Sequence, residues 1–536
     1  MRTTTLQAEG DGCTPRLQPF GWMVSRVRIV TAIVLVMSMS ACGNIGYKPR
    51  GFEVQPVIEP QSTADQSVPD AHVKSTPRKI VIFFDGTQND EGSDTNVKRL
   101  HSLLTLQARP DIASLYVLGV GTELDPIGAV TGAGINARVE LAYEFILNHF
   151  QPAKDGVPAD EIYIFGFSRG AYAGRILATM LNYAGIVEEI KEKPGDLRRL
   201  TPKELSAAVH AATFPCFECG AVDKPRDRPA RIEAALKSAN LRSVPNGPHG
   251  VAVPVAVLGL WDTVQALGMP AIGRSLLVPF LSAPPEVDVD EPNHRYGERL
   301  CNVQRAFHAM SIDDNRETIF TPLLLSRAHH FDGCKSGFGM LDDKGSIQPG
   351  HLQEVWFSGA HSDVGGGYAN GALSGVSLNW MLNRLRCMDL LPGDDCKSKG
   401  ELWAPKRYVR EDVYGGSHDP TAGIWFFYPK VNRDLVRYAF SSTSIWGSAI
   451  PQICVHESVF TRRKLIDPKY HEYDQLSFTK PGVIDLEPAN YGKGRSWKQL
   501  RQRQATVPSA PPVRVEVVPY ESCKFLSQAV KVGGLQ

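Results

Sequence analysis

The sequence predicts an α/β fold built on a mostly parallel sheet. Strand-length apolar runs alternate with helix-length amphipathic patterns from residue 79 onward, the order that a parallel sheet with crossover helices requires. Residues 251–260 form a nearly unbroken apolar run, as expected of a strand buried on both faces. The stretch Ile162-Tyr163-Ile164-Phe165-Gly166-Phe167-Ser168-Arg169-Gly170-Ala171 reads as a strand that breaks at a Gly-x-Ser-x-Gly turn and passes straight into a helix.

The elements follow in order. Residues 79–84 make the first strand and 115–118 the second, and an amphipathic helix around 138–150 leads to the strand at 162–165. Tyr172, Ile176, Leu177, Met180 and Leu181 then recur at helical spacing until Gly185 stops the pattern. A charged, helical insertion at about 186–243 interrupts the sheet order without ending it. The sheet resumes at 251–260 and again at 354–357. A second insertion, at about 269–300, opens with an apolar stretch from Met269 to Leu281 punctuated by Pro and Gly, which reads either as a lid or as a buried connection. Beyond about Leu402 the pattern is aromatic and irregular. The main domain is drawn at 79–480, followed by a C-terminal extension at 481–536 whose Lys493, Arg495, Lys498, Arg501 and Arg503 read as a solvated face rather than a contact with anionic lipid.

The first 78 residues are of a different kind. Arg26 and Arg28 precede an apolar run at 29–37 and then Met39-Ser40-Ala41-Cys42, which resembles a bacterial lipoprotein signal. The run is shorter than the ~20 apolar residues of a transmembrane helix. Residues 1–42 are therefore expected to be a signal region, with Met23 a possible true start and Cys42 the lipidated residue. Residues 43–78, with Pro49, Pro56, Pro60, Pro69 and Pro77 among polar residues, form a flexible tether. The expected location is the cell envelope, lipid-anchored and facing the periplasm. Gly43 lacks the aspartate that signals inner-membrane retention, so the outer membrane is favoured.

Charge and cysteine usage narrow the function further. Lys+Arg 58 against Asp+Glu 57 gives a net charge of +1, which leaves no global electrostatic footprint for nucleic acid. Apart from Cys13 and Cys42 the cysteines form an even set, Cys216, Cys219, Cys301, Cys334, Cys387, Cys396, Cys454 and Cys523, so disulfides fit an exported chain. Cys216 and Cys219 read as a loop staple rather than a metal pair, and a turn at 392–395 could bring Cys387 to Cys396. The connectivity stays open.

The Gly-x-Ser-x-Gly turn in this context is a nucleophile elbow: Gly166 and Gly170 stand where a Cβ would collide, and Ser168 is held up at a helix N-terminus. A serine hydroxyl needs a general base, and the base needs an acid to orient it. Asp262 ends the apolar run at 255–261, where such an acid belongs. His361 follows the strand around 354–357 on a flexible Gly-rich loop and is the best placed of 14 histidines. His308, in a helical-looking segment, reads as a core residue or one behind the site, and His456 has no clear strand before it. A metal at His361, Asp363 and Asp85 has no further ligand cluster behind it, so no metal or cofactor is expected. The backbone N–H of Arg169 and that of Gly86 are the candidate oxyanion donors. Asp85 either walls the site or only braces its loop.

Taken together, Phe83-Phe84-Asp85-Gly86-Thr87, Gly166-Phe167-Ser168-Arg169-Gly170-Ala171, Gly259-Leu260-Trp261-Asp262-Thr263-Val264 and Trp356-Phe357-Ser358-Gly359-Ala360-His361-Ser362-Asp363-Val364-Gly365-Gly366-Gly367-Tyr368 resemble, in this order, the α/β-hydrolase domain of type VI secretion phospholipase effectors. The resemblance runs from about 78 to 480, with Val455-His456-Glu457-Ser458-Val459 near its end. It implies an α/β-hydrolase-like, mostly parallel sheet with helical insertions and an irregular C-terminal extension. It also implies a Ser168, Asp262, His361 triad acting on the acyl esters of phospholipids, a phospholipase A-type activity, and a secretion-system partner. One departure stands out: such effectors are injected into rival cells, whereas this chain carries a lipoprotein pattern. The alternative is a catalytically silent envelope protein that keeps the scaffold for interaction.

Overall fold

Ile80, Ile82 and Phe84 alternate with Val81 and Phe83 along a strand in which all six residues, Lys79–Phe84, are buried. The first set joins one apolar layer and the second set the other. A strand covered on both faces needs apolar residues at every position, each fully buried Val, Ile or Phe contributing roughly 1.5–3 kcal/mol. This strand is β1. The computed structural model describes residues 77–86, 94–119, 133–154, 157–190, 200–214, 227–246, 250–264, 298–316, 320–369, 371–386, 388–391, 408–420, 433, 435, 438, 452–463, 483–486 and 513–518.

In chain order the other strands are β2 (Ile112–Val117), β3 (Glu161–Phe167), β4 (Val187–Glu189), β5 (Leu241–Ser243), β6 (Val255–Trp261), β7 (Ala306–Ser311), β8 (Leu352–Phe357), β9 (Gln452–His456), β10 (Val483–Leu486) and β11 (Val513–Val518). Nine of them form one sheet in the order β2-β1-β3-β6-β7-β8-β9-β11-β10. Every neighbouring pair is parallel except β10 with β11. The fold is therefore α/β with a mostly parallel sheet. The chain goes outward from β1 to β2 and then returns to β3 on the other side of β1, so the winding reverses between β1 and β3. In such sheets the crevice at the carboxyl ends of those two strands is where ligands bind.

The helices cover both faces. α1 (Asn96–Thr105) begins at Thr95, whose hydroxyl accepts from the Lys98 amide at 3.1 Å. It packs with α7 (Ser374–Arg384) on the Val81 and Phe83 face, through Val97, Leu100, Leu378 and Trp380. α2 (Ala133–His149) and α3 (Arg169–Tyr183) lie on the opposite face through Tyr143, Ile146, Ile176 and Leu177. The segment expected as a helical insertion holds α4 (Pro202–Thr213) and α5 (Arg228–Ser238), closed at its base by the antiparallel pair β4 and β5. Among the described residues two short helices complete the set, α6 (His361–Gly365) and α8 (Glu457–Arg463).

Three local expectations change. Residues 306–311, read as helical around His308, are strand β7, buried along its whole length between β6 and β8. His456 ends a strand after all, β9, paired to β8. The glycine-rich stretch after His361 is not a loose loop: residues 361–365 form the buried helix α6, and a Cβ on Gly365 would fall 2.0 Å from the Phe167 ring. The chain around the 481–536 extension supplies β10 and β11, so that segment adds two strands to the sheet.

Cys301 and Cys334 form a disulfide across a sequence separation of 33. Residues 216, 219, 387 and 396, and the apolar stretch from Met269 to Leu281, lie outside the described residues, as do residues 1–76 with Cys42 and the basic cluster from Lys493 to Arg503. No helix among the described residues is long and apolar enough to cross a membrane. Closing a loop of this length stabilises a fold by roughly 3–4 kcal/mol in the chain-entropy account. The Cys301→Ser/Cys334→Ser variant should accordingly unfold at a clearly lower denaturant midpoint than the oxidised chain, and adding reductant should shift the wild-type curve onto it. Coincident midpoints with and without reductant would show that this bridge does not restrain the fold.

Candidate active site

The turn between β3 and α3 is forced by contact. A Cβ on Gly166 would lie 2.6 Å from the Ala171 Cα, and one on Gly170 would lie 2.3 Å from the Phe84 carbonyl oxygen and 2.4 Å from that of Asp85. Only glycine lets the helix start so close to the end of β1. Between them Ser168 takes φ 59° and ψ −126°, a backbone conformation that is strained for a residue with a side chain, and its hydroxyl does not cap the helix. The Ser168 amide donates to the Trp261 carbonyl at 3.0 Å, tying the elbow to the end of β6.

Asp262 follows β6 directly and is fully buried, also with a positive φ, 39°. His361, at the start of α6 after β8, is 1% exposed, and its Nδ1 lies 2.5 Å from Asp262 Oδ2. The ring rests on Phe167, the residue before Ser168, at 4.7 Å between centroids, and meets the edge of Phe320 at 4.9 Å. Its Nε2 is buried without a hydrogen-bond partner among the described residues. The Ser168 hydroxyl does not bond it here; serine–histidine bonds are often long before substrate binds. The chain thus brings Asp262 and His361 into contact and sets Ser168 next to the aromatic ring on which His361 lies.

Electrostatics favour the protonation states that acid–base chemistry needs. Burial pushes the His361 imidazole down from its ordinary range, against the opposing pull of Asp262. Burial alone would raise the Asp262 carboxyl, but the charge of Arg433 and the bonds from His361 and Arg433 hold it well below the usual carboxylate range. Arg433 donates to both oxygens of Asp262, at 2.6 and 2.9 Å, and Ser311 N–H adds a bond to Oδ1 at 2.9 Å. The backbone N–H of His361 is held by Asp314 Oδ2 at 3.1 Å. Asp314 pairs with Arg316 at 2.7 Å, and the Arg316 guanidinium lies 3.8 Å over Phe320. Asp363, on α6, accepts from the Ala360 amide and from the His418 amide and imidazole, which fastens the segment around 418 to the helix that carries His361.

The two other histidines weighed as bases, His308 and His456, are engaged elsewhere. His308 is fully buried with Nδ1 2.8 Å from Glu354 and Nε2 accepting from Thr263 N–H at 3.1 Å, a strut beneath the residue after Asp262. His456 stacks on Phe357, bonds Ser458, and is pushed down to about 3 by burial. No group of His, Cys, Asp and Glu that could hold a metal ion occurs among the described residues.

Asp85 and Gly86 sit at the end of β1, beside the elbow. The Gly86 N–H, expected to face an oxyanion, donates to Asp85 Oδ1 at 2.6 Å. Asp85 Oδ2 accepts from Thr95 at 2.6 Å and from the Tyr116 hydroxyl. Of the two roles open to Asp85, these bonds are those of a brace that joins β1, β2 and the N-terminus of α1. Arg169 supplies the first amide of α3, one that an α-helix does not use internally. Sequence reading missed Arg433, Asp314, Arg316 and His418. None lies in a motif, and each reaches the site through the fold.

The model for the catalytic domain of the T6SS phospholipase effector Tle1-like family matches residues 78–384. Among curated proteins, the uncharacterized protein YEL023C of Saccharomyces cerevisiae is 26% identical over an alignment of 148 residues that covers 23% of this chain and 20% of the yeast protein. Among solved structures, an uncharacterized protein from Pseudomonas aeruginosa aligns with a TM-score of 0.30 and 17% identity over 57% of this chain and 46% of that one. The Tle1 effector bound to the VgrG spike of the type 6 secretion system aligns with a TM-score of 0.26 and 18% identity, over 58% of this chain and 56% of that one. The chain thus spans a fifth of the yeast protein and about half of each solved chain.

Burial pushes the Asp85 carboxyl up to about 6, against the bonds from Thr95, Tyr116 and Gly86 that favour its ionised form. A carboxyl that holds its proton more tightly in the folded state than at its ordinary value of 3.8 stabilises the fold at low pH and withdraws that support as pH rises through about 6. Relative to Asp85→Asn, the wild-type chain should lose roughly 3 kcal/mol of stability between about pH 4 and pH 7. Denaturant titrations of both proteins across that range test this, and a stability difference that stays constant with pH would refute it.

Proposed function

Given that the chain belongs to the T6SS phospholipase effector Tle1-like catalytic-domain family, we propose that it is a serine hydrolase of phospholipid acyl esters, of phospholipase A type. The observation that carries the reading is the 2.5 Å contact between His361 Nδ1 and Asp262 Oδ2 beside an elbow serine with positive φ. In this reading the Ser168 hydroxyl oxygen attacks the ester carbonyl while His361 Nε2 takes its proton. The Arg169 amide stabilises the oxyanion. The tetrahedral intermediate collapses, the lysophospholipid alkoxide leaves with the proton from His361, and the acyl group stays on Ser168. Water then attacks the acyl-serine with His361 again as base, the bond from the acyl carbon to the Ser168 oxygen breaks as His361 returns the proton to that oxygen, and a fatty acid departs. Asp262 keeps Nδ1 as the protonated nitrogen and stabilises the imidazolium at each proton transfer. The Gly86 amide joins the oxyanion site only if it gives up Asp85.

The family match supports the substrate class, and a secretion-system partner belongs to the same proposal. Lipidation of Cys42 would place the domain on an envelope membrane, beside its substrate, on a tether of residues 43–78.

Ser168→Ala should leave a folded protein whose release of fatty acid from a defined phospholipid mixture falls by roughly 10³-fold or more. Labelling by a fluorophosphonate probe should disappear with it. Near-native turnover would eliminate the serine mechanism, and an unlabelled, inactive wild type would point to the silent interaction protein instead. In cells, Cys42→Ser should lose incorporation of a palmitate analogue and leave the membrane fraction; continued labelling would remove Cys42 as the anchor.

A further inference from the structure

Arg433 lies beyond the family match, which ends at residue 384, in the part of the chain that reads as irregular. Its side chain is nonetheless fully buried at the site. One guanidinium nitrogen donates to Asp262 Oδ1 at 2.6 Å and to the Ser311 carbonyl at 2.6 Å; the other donates to Asp262 Oδ2 at 2.9 Å and to the Phe320 carbonyl at 2.9 Å. The first pair joins the ends of β6 and β7, and the last holds the residue whose ring meets His361. A planar fork that meets both oxygens of a carboxylate fixes its rotation as well as its charge, which an ammonium does not do.

We infer that Arg433 is a positioning residue of the proposed reaction: it holds the Asp262 carboxylate ionised and turned so that Oδ2 meets His361 Nδ1, and it keeps the Asp262–His361 pair from taking up an extra proton at rest. The inference rests on the serine-hydrolase reading above.

The charges around the pair make this specific. From the loop after β7, Asp314 and Arg316 face His361, but they are paired with each other. From behind, His308 is bonded to Glu354 and Thr263. Asp363, on the same helix as His361, is engaged by His418. Among the described residues, Arg433 is the arginine or lysine bonded directly to Asp262. Without it, Asp262 and a neutral His361 together carry an uncompensated negative charge in a buried setting, and the pair binds a proton more readily whichever member carries it. His361 must be neutral to act as a base, so the activity would then emerge at higher pH.

The full-length protein and its Arg433→Met, Arg433→Lys, Asp262→Asn and Asp262→Asn/Arg433→Met variants test this with a soluble short-chain ester. Arg433→Met should lower kcat by roughly 10²-fold. It should also move the acidic limb of the kcat/KM profile up by about one pH unit. Arg433→Lys, which keeps the charge but not the fork, should restore the limb more fully than the rate. In the Asp262→Asn background the Arg433→Met change should cost little more. A folded Arg433→Met protein with an unmoved limb, or one that loses the same factor in both backgrounds, would overturn the inference. If Arg433→Met alone is too unstable to assay, the double variant should regain stability because it no longer buries an unpaired carboxylate; equal instability of the two would also overturn it. Ser168→Ala assayed alongside separates the two ideas. Activity surviving in Ser168→Ala removes the hydrolase reading itself, whereas its loss together with an unmoved limb in Arg433→Met removes only the role of Arg433.

Discussion

A carboxylate taken from water into a protein interior forfeits several kcal/mol of solvation unless charge and hydrogen bonds replace it. Asp262 is fully buried, and its two oxygens receive donors from three other places in the chain: the amide at the end of β7, the imidazole at the start of α6, and the guanidinium of Arg433. That one anion therefore fixes the relation of β6 to β7, the seat of the helix carrying His361, and the return of the chain at 433. It also helps to explain the backbone. Asp262 and Ser168 both adopt positive φ, a conformation that persists only where surrounding structure over-determines it. The bonds on the Asp262 carboxylate and the glycine contacts around Ser168 supply that constraint.

The sheet places these groups without any of them being close in sequence. Because its strands are parallel, their carboxyl ends lie along one edge, and residues that follow β1, β3, β6 and β8 meet there: Asp85, Ser168, Asp262 and His361. The reversal of winding between β1 and β3 opens the crevice at that edge. Gly170, packed on the carbonyls of Phe84 and Asp85, sets how closely the two lips approach.

Much of this was written locally in the chain. β1, β3 and β6 are apolar runs bounded by Asp85, the elbow and Asp262, and strands buried on both faces leave that signature whatever the tertiary context. The candidate serine, acid and base were legible for the same reason, since each follows such a run. β7 was not, because Ala306-Phe307-His308-Ala309-Met310 contains no β-branched residue and its strand character comes from the strands on either side. The short helix at 361–365 was hidden behind glycines that read as looseness, while in the fold Gly365 is demanded by the ring of Phe167. Arg433 carries no local mark at all: its partner lies 171 residues earlier, and only the completed fold brings them together. The pairing of Cys301 with Cys334 was open for the same reason.

The distance in sequence between Asp262 and Arg433 bears on how the protein comes into being. A chain synthesised from its N-terminus presents the elbow, the acid and the base well before residue 433 emerges, and domains fold as units when their contacts become available. Until then Asp262 has no guanidinium, and closing β6 against β7 would bury a negative charge with half of its compensation absent. The Asp262–His361 contact thus receives its strongest compensating charge from a residue made after both of its members, so the donor set of Asp262 is complete only once residue 433 has joined the fold.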